Sequence, residues 1–236
     1  MISLNRISKK LLLLQRNELL SKNQYWLRKR FGRLIFTNFF VNYFQVEDIE
    51  KRTEELFQKE IELIKNYLPK KAENIMDIGC GLGIINIFLN KIYNNQPNFF
   101  LLDKNRIDKV IKYGFSSDYE SYNDLKETRN LLINNYIRPS SINTLDVEKD
   151  FKIDAKIDLV ISLKSMGYHY PIDQYLRLFQ TCCDENTSFI FDVSEGYYNE
   201  SLFKKHFKIV DIIYEEKSIH SLKRLFCKDF YQINRQ

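Results

Sequence analysis

After Pro69, strand-like apolar runs alternate with helical stretches, and this alternation constrains the fold of the chain more than any other feature. The short runs have the length and apolar content of buried strands, and the stretches between them carry helical periodicity. Strand–helix alternation is typical of βαβ units, so the pattern predicts an α/β protein with a mainly parallel sheet. The segments are 74–78 then 82–92, 98–102 then 120–136, 141–145, 157–163 then 172–183, and 188–193.

The end of the chain departs from this alternation. Apolar runs at 208–214 and 222–230 are separated by a polar stretch too short for a crossover helix, so they should pair as an antiparallel hairpin. The expected fold is therefore a seven-stranded, mostly parallel sheet with helices on both faces and a terminal antiparallel hairpin, preceded by N-terminal helices.

Helical periodicity before Pro69 covers 3–30 and 47–68. Residues 1–68 are therefore predicted to be an N-terminal helical extension or lid, and residues 69–236 to be the sheet domain.

Three glycines at alternate positions follow the first predicted strand, in the sequence Asp77-Ile78-Gly79-Cys80-Gly81-Leu82-Gly83. Glycine permits a sharp turn and the close approach of a ligand, and the helix that follows presents free backbone N–H groups. The loop is thus expected to bind a nucleotide-like ligand.

The spacing of these glycines restricts the class of ligand that the loop could bind. A dinucleotide fingerprint requires G-x-G-x-x-G, whereas Ile84 stands where the third glycine would be. A P-loop is excluded because no Gly-Lys-Ser/Thr follows. Asp77, two residues before the first glycine, would repel a phosphate but suits a ligand that carries a positive ammonium and sulfonium group.

The stretch from Asp77 to Gly83 resembles the first motif of class I S-adenosylmethionine-dependent methyltransferases, and the resemblance covers roughly residues 70–230. It implies S-adenosylmethionine as cofactor, with S-adenosylhomocysteine as product, and a methyltransferase domain at 69–236. It also implies that Asp103 holds the two ribose hydroxyls, that Asp146 faces the adenine amino group and that the Val147 N–H faces the ring. The implied cofactor residues are Asp77, Gly79, Cys80, Gly81, Gly83, Asp103, Lys104, Asp146, Val147 and Ser162.

The acceptor side of such a fold lies at the carboxyl ends of the fourth and fifth strands, here 161–171 and 191–195. These segments lack the Asn/Asp-Pro-Pro-Tyr/Phe pattern of amine methylation, the Asp-Asn pair of metal-dependent catechol methylation and a cysteine for pyrimidine C5 chemistry. They do contain His169, and imidazole is the commonest general base near neutral pH. We therefore expect an O-methyltransferase in which His169 activates an acceptor hydroxyl; packing beside its tyrosines is the alternative.

Aromatic residues around His169 and in other segments could line an acceptor site. The candidates are Tyr25, Tyr119, Tyr168 and Tyr170. The expected acceptor is small and polar, such as a sugar or a phosphorylated precursor of a surface polysaccharide, and the same aromatic residues could instead fill the core.

Positive charge is concentrated in residues 1–36, which carry nine basic residues and one acid for a net +8, whereas the remainder of the chain is −3. A basic arm of this kind could contact the phosphates of an RNA substrate, and it could equally be a solvated helix face. An RNA methyltransferase is therefore the alternative enzyme, and a non-catalytic partner that keeps the fold is the third possibility.

The four cysteines form no CxxC pair and no histidine cluster accompanies them, so neither a metal site nor a disulfide framework is expected. No apolar run is long enough for a signal peptide or a membrane span, and a cytoplasmic location is expected. The sequence leaves the oligomeric state and the acceptor atom open.

Overall fold

The computed structural model describes residues 2–40, 46–107, 122–167, 170–217 and 221–232. It contains a seven-stranded sheet of order β3-β2-β1-β4-β5-β7-β6. The strands are β1 (Asn74–Ile78), β2 (Asn98–Asp103), β3 (Ile142–Asp146), β4 (Leu159–Ser162), β5 (Ser188–Ser194), β6 (Phe207–Glu216) and β7 (Leu222–Phe230). The first five strands are parallel, and β7 runs antiparallel to both β5 and β6. The α/β fold and the terminal hairpin predicted from the sequence are confirmed.

Helices cover both faces of this sheet. Those described are α1 (Arg6–Gln15), α2 (Lys22–Phe31), α3 (Arg33–Phe40), α4 (Val46–Ile64), α5 (Ile84–Ile92), α6 (Leu125–Asn134), α7 (Asp173–Cys182) and α8 (Glu200–Lys204). Alternate residues of β1 point to opposite faces, because side chains alternate along a strand. Ile75 joins a cluster with residues of α1, α4, α5 and α6, whereas Met76 joins one with residues of α7 and α8.

The N-terminal helices pack on the sheet domain. Leu11 to Leu14 of α1 are buried in the same cluster as the strands. The start of α1 is fixed to α6, because the Asn5 Nδ2 donates to Glu127 Oε1 at 2.7 Å and the Ser3 N–H donates to Asn135 Oδ1 at 2.9 Å. The division of the chain at residue 68 stays a prediction, but this segment shares its core with the strands.

The helical periodicity at 3–30 corresponds to two helices, α1 and α2, separated by a short turn. The chain leaves the helical conformation at Arg16, makes a short 3-10 turn at Asn17–Leu19, and restarts as α2 with Ser21 as the N-cap. Ser21 and Gln24 form a capping box, in which each side chain accepts a hydrogen bond from the other residue's backbone N–H. Within this turn, Glu18 pairs with Lys164, which lies just after β4.

Within the described parts of the chain, the helices are too short or too polar to cross a membrane.

Candidate active site

The glycine loop joins β1 to α5 at the carboxyl end of the sheet. Gly79 and Gly81 have φ angles of +68° and +53°, a left-handed conformation that glycine adopts without steric cost. The N–H groups of Gly79 and Cys80 both donate to the Leu102 carbonyl, at 2.7 and 3.1 Å. The loop is thereby fixed to the end of β2, one residue before Asp103.

Neighbouring side chains crowd both glycines: Ser165 leaves no room for a Cβ atom at Gly79, and the flexible end of Gln15 would have to move to admit one at Gly81. A Cβ at Gly79 would lie 1.9 Å from Ser165 Oγ, and one at Gly81 would lie 2.7 Å from Gln15 Oε1. The loop thus lies between the segment that follows β4 and the end of α1.

Asp103 ends β2 and accepts hydrogen bonds from three donors. Gly81 N–H lies 2.7 Å from Oδ2, Asn123 Nδ2 lies 3.2 Å from Oδ2, and Lys104 N–H lies 2.7 Å from Oδ1. Burial raises the pKa of the Asp103 carboxyl to about 6, and these three hydrogen bonds oppose that rise. Because a carboxylate offers about four acceptor positions, roughly one remains, on Oδ1.

Asp77 is buried beneath the loop, with 3% of its surface exposed. Its Oδ2 accepts a hydrogen bond from Asn86 Nδ2 of α5 at 2.6 Å. Burial raises the pKa of the Asp77 carboxyl to about 7, the Asn86 hydrogen bond lowers it, and the charge of Asp103 raises it further. The side chain is enclosed by protein and is only partly ionised near neutral pH, so the charge that it carries acts on a ligand through the loop.

Residues remote in sequence complete the loop's surroundings, and the sequence analysis missed them. The Gly81 carbonyl accepts hydrogen bonds from Asn123 Nδ2 and Thr128 Oγ1, both at 2.9 Å. Gln15 Nε2, at the end of α1, donates to the Tyr122 carbonyl at 2.8 Å. No local pattern marks these three polar residues, because their role depends on contacts across 40 to 110 positions.

The basic residues of the N-terminal segment do not form a free arm. Lys9 and Arg28 are buried, and Arg28 Nη1 donates to the Leu13 carbonyl at 2.7 Å. The Arg33 guanidinium lies 5.3 Å from the centre of the Tyr122 ring, and the Arg16 guanidinium lies 5.3 Å from that of Phe57. With Lys29, whose ammonium lies over the Tyr25 ring, five of the nine cations in residues 1–36 are thus engaged within the protein.

Asp146 and Val147, which are expected to face adenine, both form hydrogen bonds within the protein. Asp146 lies beside Asp103 in the register of β2 and β3, and its Oδ1 accepts the Glu148 N–H at 3.1 Å. The Val147 N–H donates to the Asp103 carbonyl at 3.0 Å. The roles of Asp146 and Val147 toward the adenine ring stay predictions; without ligand, the Val147 N–H is paired with the neighbouring strand.

Ser162, at the end of β4, holds the loop that follows it. Its hydroxyl is fully buried, donates to the Ile78 carbonyl at 2.7 Å and accepts the Met166 N–H at 2.9 Å. Lys164 has a φ of +64°, its N–H donates to Asp192 Oδ2 at 3.1 Å, and its ammonium pairs with Glu18. Ser162 therefore supports the loop, and its role as a cofactor residue stays a prediction.

A buried network of ion pairs holds the loop that follows β4. Arg224 of β7 forms two hydrogen bonds with Asp192 of β5, at 2.7 and 3.1 Å, and its Nη1 lies 2.6 Å from Glu60 Oε2 of α4. Burial raises the pKa of Asp192, and the Arg224 charge opposes this effect. The network connects α4, β5 and β7 to the backbone of Lys164.

Three of the proposed acceptor-side residues, His169, Tyr168 and Tyr119, lie outside the described residues. Tyr170 lies beside Lys104, the residue after Asp103: Lys104 Nζ is 5.4 Å from the centre of the Tyr170 ring. Tyr25 lies on α2, where Lys29 Nζ is 4.8 Å from the centre of its ring. Within the described residues, no group of histidine, cysteine or acidic side chains could hold a metal ion.

Cys80 lies within the glycine loop, and its thiol is not paired with another cysteine. Burial, followed by the charges of Asp103 and Asp77, raises the pKa of this thiol well above its usual value. The residue is therefore a neutral part of the loop at physiological pH.

No family model matches the sequence, and no curated protein sequence matches it significantly. Among solved structures, a suggested O-methyltransferase from Nostoc punctiforme superposes with a TM-score of 0.51 at 10% identity, over 77% of this chain and 58% of that protein. Magnesium protoporphyrin IX methyltransferase from Synechocystis, solved with bound S-adenosylmethionine, gives 0.48 at 13% identity over 89% and 98%. Precorrin-6y C5,15-methyltransferase from Geobacter metallireducens gives 0.47 at 10% identity over 74% and 88%. At these identities the likeness establishes the fold alone.

Proposed function

We propose that this protein is an S-adenosylmethionine-dependent methyltransferase that methylates an oxygen of a small, polar, sugar-like acceptor. The observation that carries the proposal is the arrangement of the glycine loop, whose Gly81 N–H donates to the Asp103 carboxylate at 2.7 Å across the ends of β1 and β2. A loop without Cβ atoms beside a strand-terminal carboxylate provides a surface and an acceptor for a nucleoside.

The residues present fit the cofactor. Asp103 keeps an acceptor position on Oδ1, and exchange of the Asn123 hydrogen bond would free a second for the other ribose hydroxyl. Asp103, with a pKa of about 6, is mainly ionised at neutral pH, and Asp77 adds negative charge as it ionises near pH 7. Negative charge at the loop suits the positive sulfonium and ammonium groups. When bound, S-adenosylmethionine supplies an electrophilic methyl group on a sulfonium that leaves as a neutral thioether.

The positions of Gly167 and Tyr170, which flank residues 168 and 169 in the sequence, support the proposed site of oxygen methylation. Gly167 N–H donates to the Tyr170 carbonyl at 2.6 Å, so the residues on either side of the Tyr168–His169 dipeptide lie in contact. Tyr170 in turn lies beside Lys104, the residue after Asp103. We propose that His169 removes the proton of the acceptor hydroxyl, with Tyr168 and Tyr170 beside the acceptor.

Calorimetric titration with S-adenosylmethionine tests the cofactor site. Asp103→Asn keeps the shape of the side chain but loses its charge, so we expect at least tenfold weaker binding from the weakened charge-assisted hydrogen bonds. Asp154→Asn, at an exposed carboxylate, is the matched control and should bind as the wild type does. Equal affinity for Asp103→Asn would contradict the ribose role, and no binding by the wild type would favour a non-catalytic partner.

Incubation with labelled S-adenosylmethionine and fractionated lysate, with and without ribonuclease, identifies the acceptor. Label in a small polar or saccharide fraction supports the proposal, whereas ribonuclease-sensitive label would identify an RNA methyltransferase. His169→Ala should then lose turnover while still binding S-adenosylmethionine. Turnover near that of the wild type at every pH would exclude His169 as the base.

A further inference from the structure

The helices α2 and α3 form an outer surface that combines exposed apolar side chains with positive charge; we call it the α2–α3 surface. Residues 22–40 contain five lysine and arginine residues and no acidic residue. The nearest preceding acid, Glu18, is ion paired with Lys164. Its composition therefore differs from the mixed charges typical of a solvated helix face.

The inner faces of both helices pack against the rest of the protein. Arg28 of α2 is buried and reaches the Leu13 carbonyl of α1, and Phe36 and Thr37 of α3 are buried. Gly32, with a φ of +84°, makes the turn between the two helices. The residues opposite these inner positions must face away from the sheet domain.

Those outward positions hold large apolar groups. Trp26 is 64% exposed on α2, and Ile35 and Phe39 are each 63% exposed on α3. Ile35 and Phe39 are four residues apart, so they share one face of their helix. Exposed clusters of large apolar side chains of this kind mark interaction sites.

Cations accompany Trp26 on its face of α2. Lys22, Lys29 and Arg30 are all exposed and lie four before, three after and four after Trp26. Lysine and arginine beside tryptophan and aliphatic residues are the composition of helices that lie in the interface of a bilayer with anionic lipids.

We propose that the α2–α3 surface binds the headgroup and upper acyl region of a membrane that contains anionic phospholipids. Trp26, Ile35 and Phe39 enter the interface, and Lys22, Lys29 and Arg30 neutralise lipid charge. The aliphatic Ile35 favours a bilayer over RNA, since RNA recognition on a surface of this kind relies on ring stacking.

This surface is connected to the candidate active site. Arg33, at the start of α3, lies over the Tyr122 ring, and the Tyr122 carbonyl accepts the Gln15 amide beside Gly81. A membrane bound to α2 and α3 would therefore lie on a surface that is in contact with the partners of the glycine loop. The binding itself does not depend on methyl transfer.

Trp26 is the single tryptophan of the chain, so its fluorescence reports directly on this surface. Vesicles of phosphatidylcholine with 30% phosphatidylglycerol should shift its emission to shorter wavelength and protect it from iodide quenching. Vesicles of phosphatidylcholine alone should act much more weakly. An unchanged spectrum, or quenching by an RNA oligonucleotide with no response to vesicles, would overturn the proposal.

Charge reversal tests the same surface in a vesicle sedimentation assay. Lys29→Glu/Arg30→Glu removes two cations, each of which contributes about fivefold to partitioning, so binding to anionic vesicles should weaken by at least about 25-fold. Lys70→Glu/Lys71→Glu reverses two other exposed lysines and should bind nearly as the wild type does. Equal losses in both variants would show non-specific attraction and overturn the proposal, and circular dichroism checks that both variants fold.

Discussion

Substituting Gly79 by alanine tests the packing of the glycine loop against the segment after β4. The added Cβ would lie 1.9 Å from Ser165 Oγ and 2.2 Å from Ser165 Cβ, far inside normal contact. A left-handed alanine costs about 1–2 kcal/mol, and forcing a packed neighbour to move costs about 1–3 kcal/mol. We expect Gly79→Ala to lower the free energy of unfolding by roughly 2–5 kcal/mol.

A double variant separates these two costs. Gly79→Ala/Ser165→Gly removes the clashing atoms, and the next nearest atom, Ser165 Cα, lies at an ordinary 3.7 Å. The backbone strain remains, so the double variant should recover about 1–3 kcal/mol relative to the sum of the single variants. Urea unfolding followed by circular dichroism measures the four proteins of this cycle.

The result that would refute the reasoning is a coupling free energy below about 0.5 kcal/mol, the level expected of independent sites. In that case Ser165 would not lie against Gly79 in solution, and the glycine would be required by its φ angle alone. A changed urea dependence in Gly79→Ala alone would indicate instead that the variant alters the unfolded state.

Two further predictions concern buried charge. Arg224→Met leaves Asp192 and Glu60 without their cation, so it should cost about 3–5 kcal/mol in urea unfolding, and a loss under 1 kcal/mol would contradict the buried network. Asp77 holds its proton up to about pH 7 in the folded protein but only to about pH 4 when unfolded, so its contribution to stability falls as pH rises from 4 to 7. Asp77→Asn, which retains a partner for Asn86, should therefore flatten this part of the pH–stability profile, and an identical profile would exclude the effect.

The sequence predicts the strands and the glycine loop because these features are local. Apolar periodicity and the spacing of Gly79, Gly81 and Gly83 are visible within short windows. The strand expected at 141–145 begins and ends one residue later in the structure, and the helix expected at 172–183 is one residue shorter at each end. Errors of this size arise from fraying at element ends.

The remaining features depend on contacts between distant residues. Gln15, the last residue of α1, lies beside Gly81, and the apolar pattern of residues 3–30 does not show that the helix ends there. The Arg224–Asp192 pair forms because β7 lies beside β5, which no local pattern shows. The hydrogen bond from the Val147 N–H to the Asp103 carbonyl likewise depends on the pairing of β3 with β2.

The docking of α1 on α6 has a consequence for how this chain folds during synthesis. Ser3 and Asn135 are 132 positions apart, so the first helix leaves the ribosome long before its docking surface has been translated. Leu11 to Leu14, which the finished protein buries, lack the part of their core that α6 supplies throughout that interval. Apolar segments that stay incompletely covered in nascent chains are prone to aggregation, so we expect α1 to be a site of early chaperone contact.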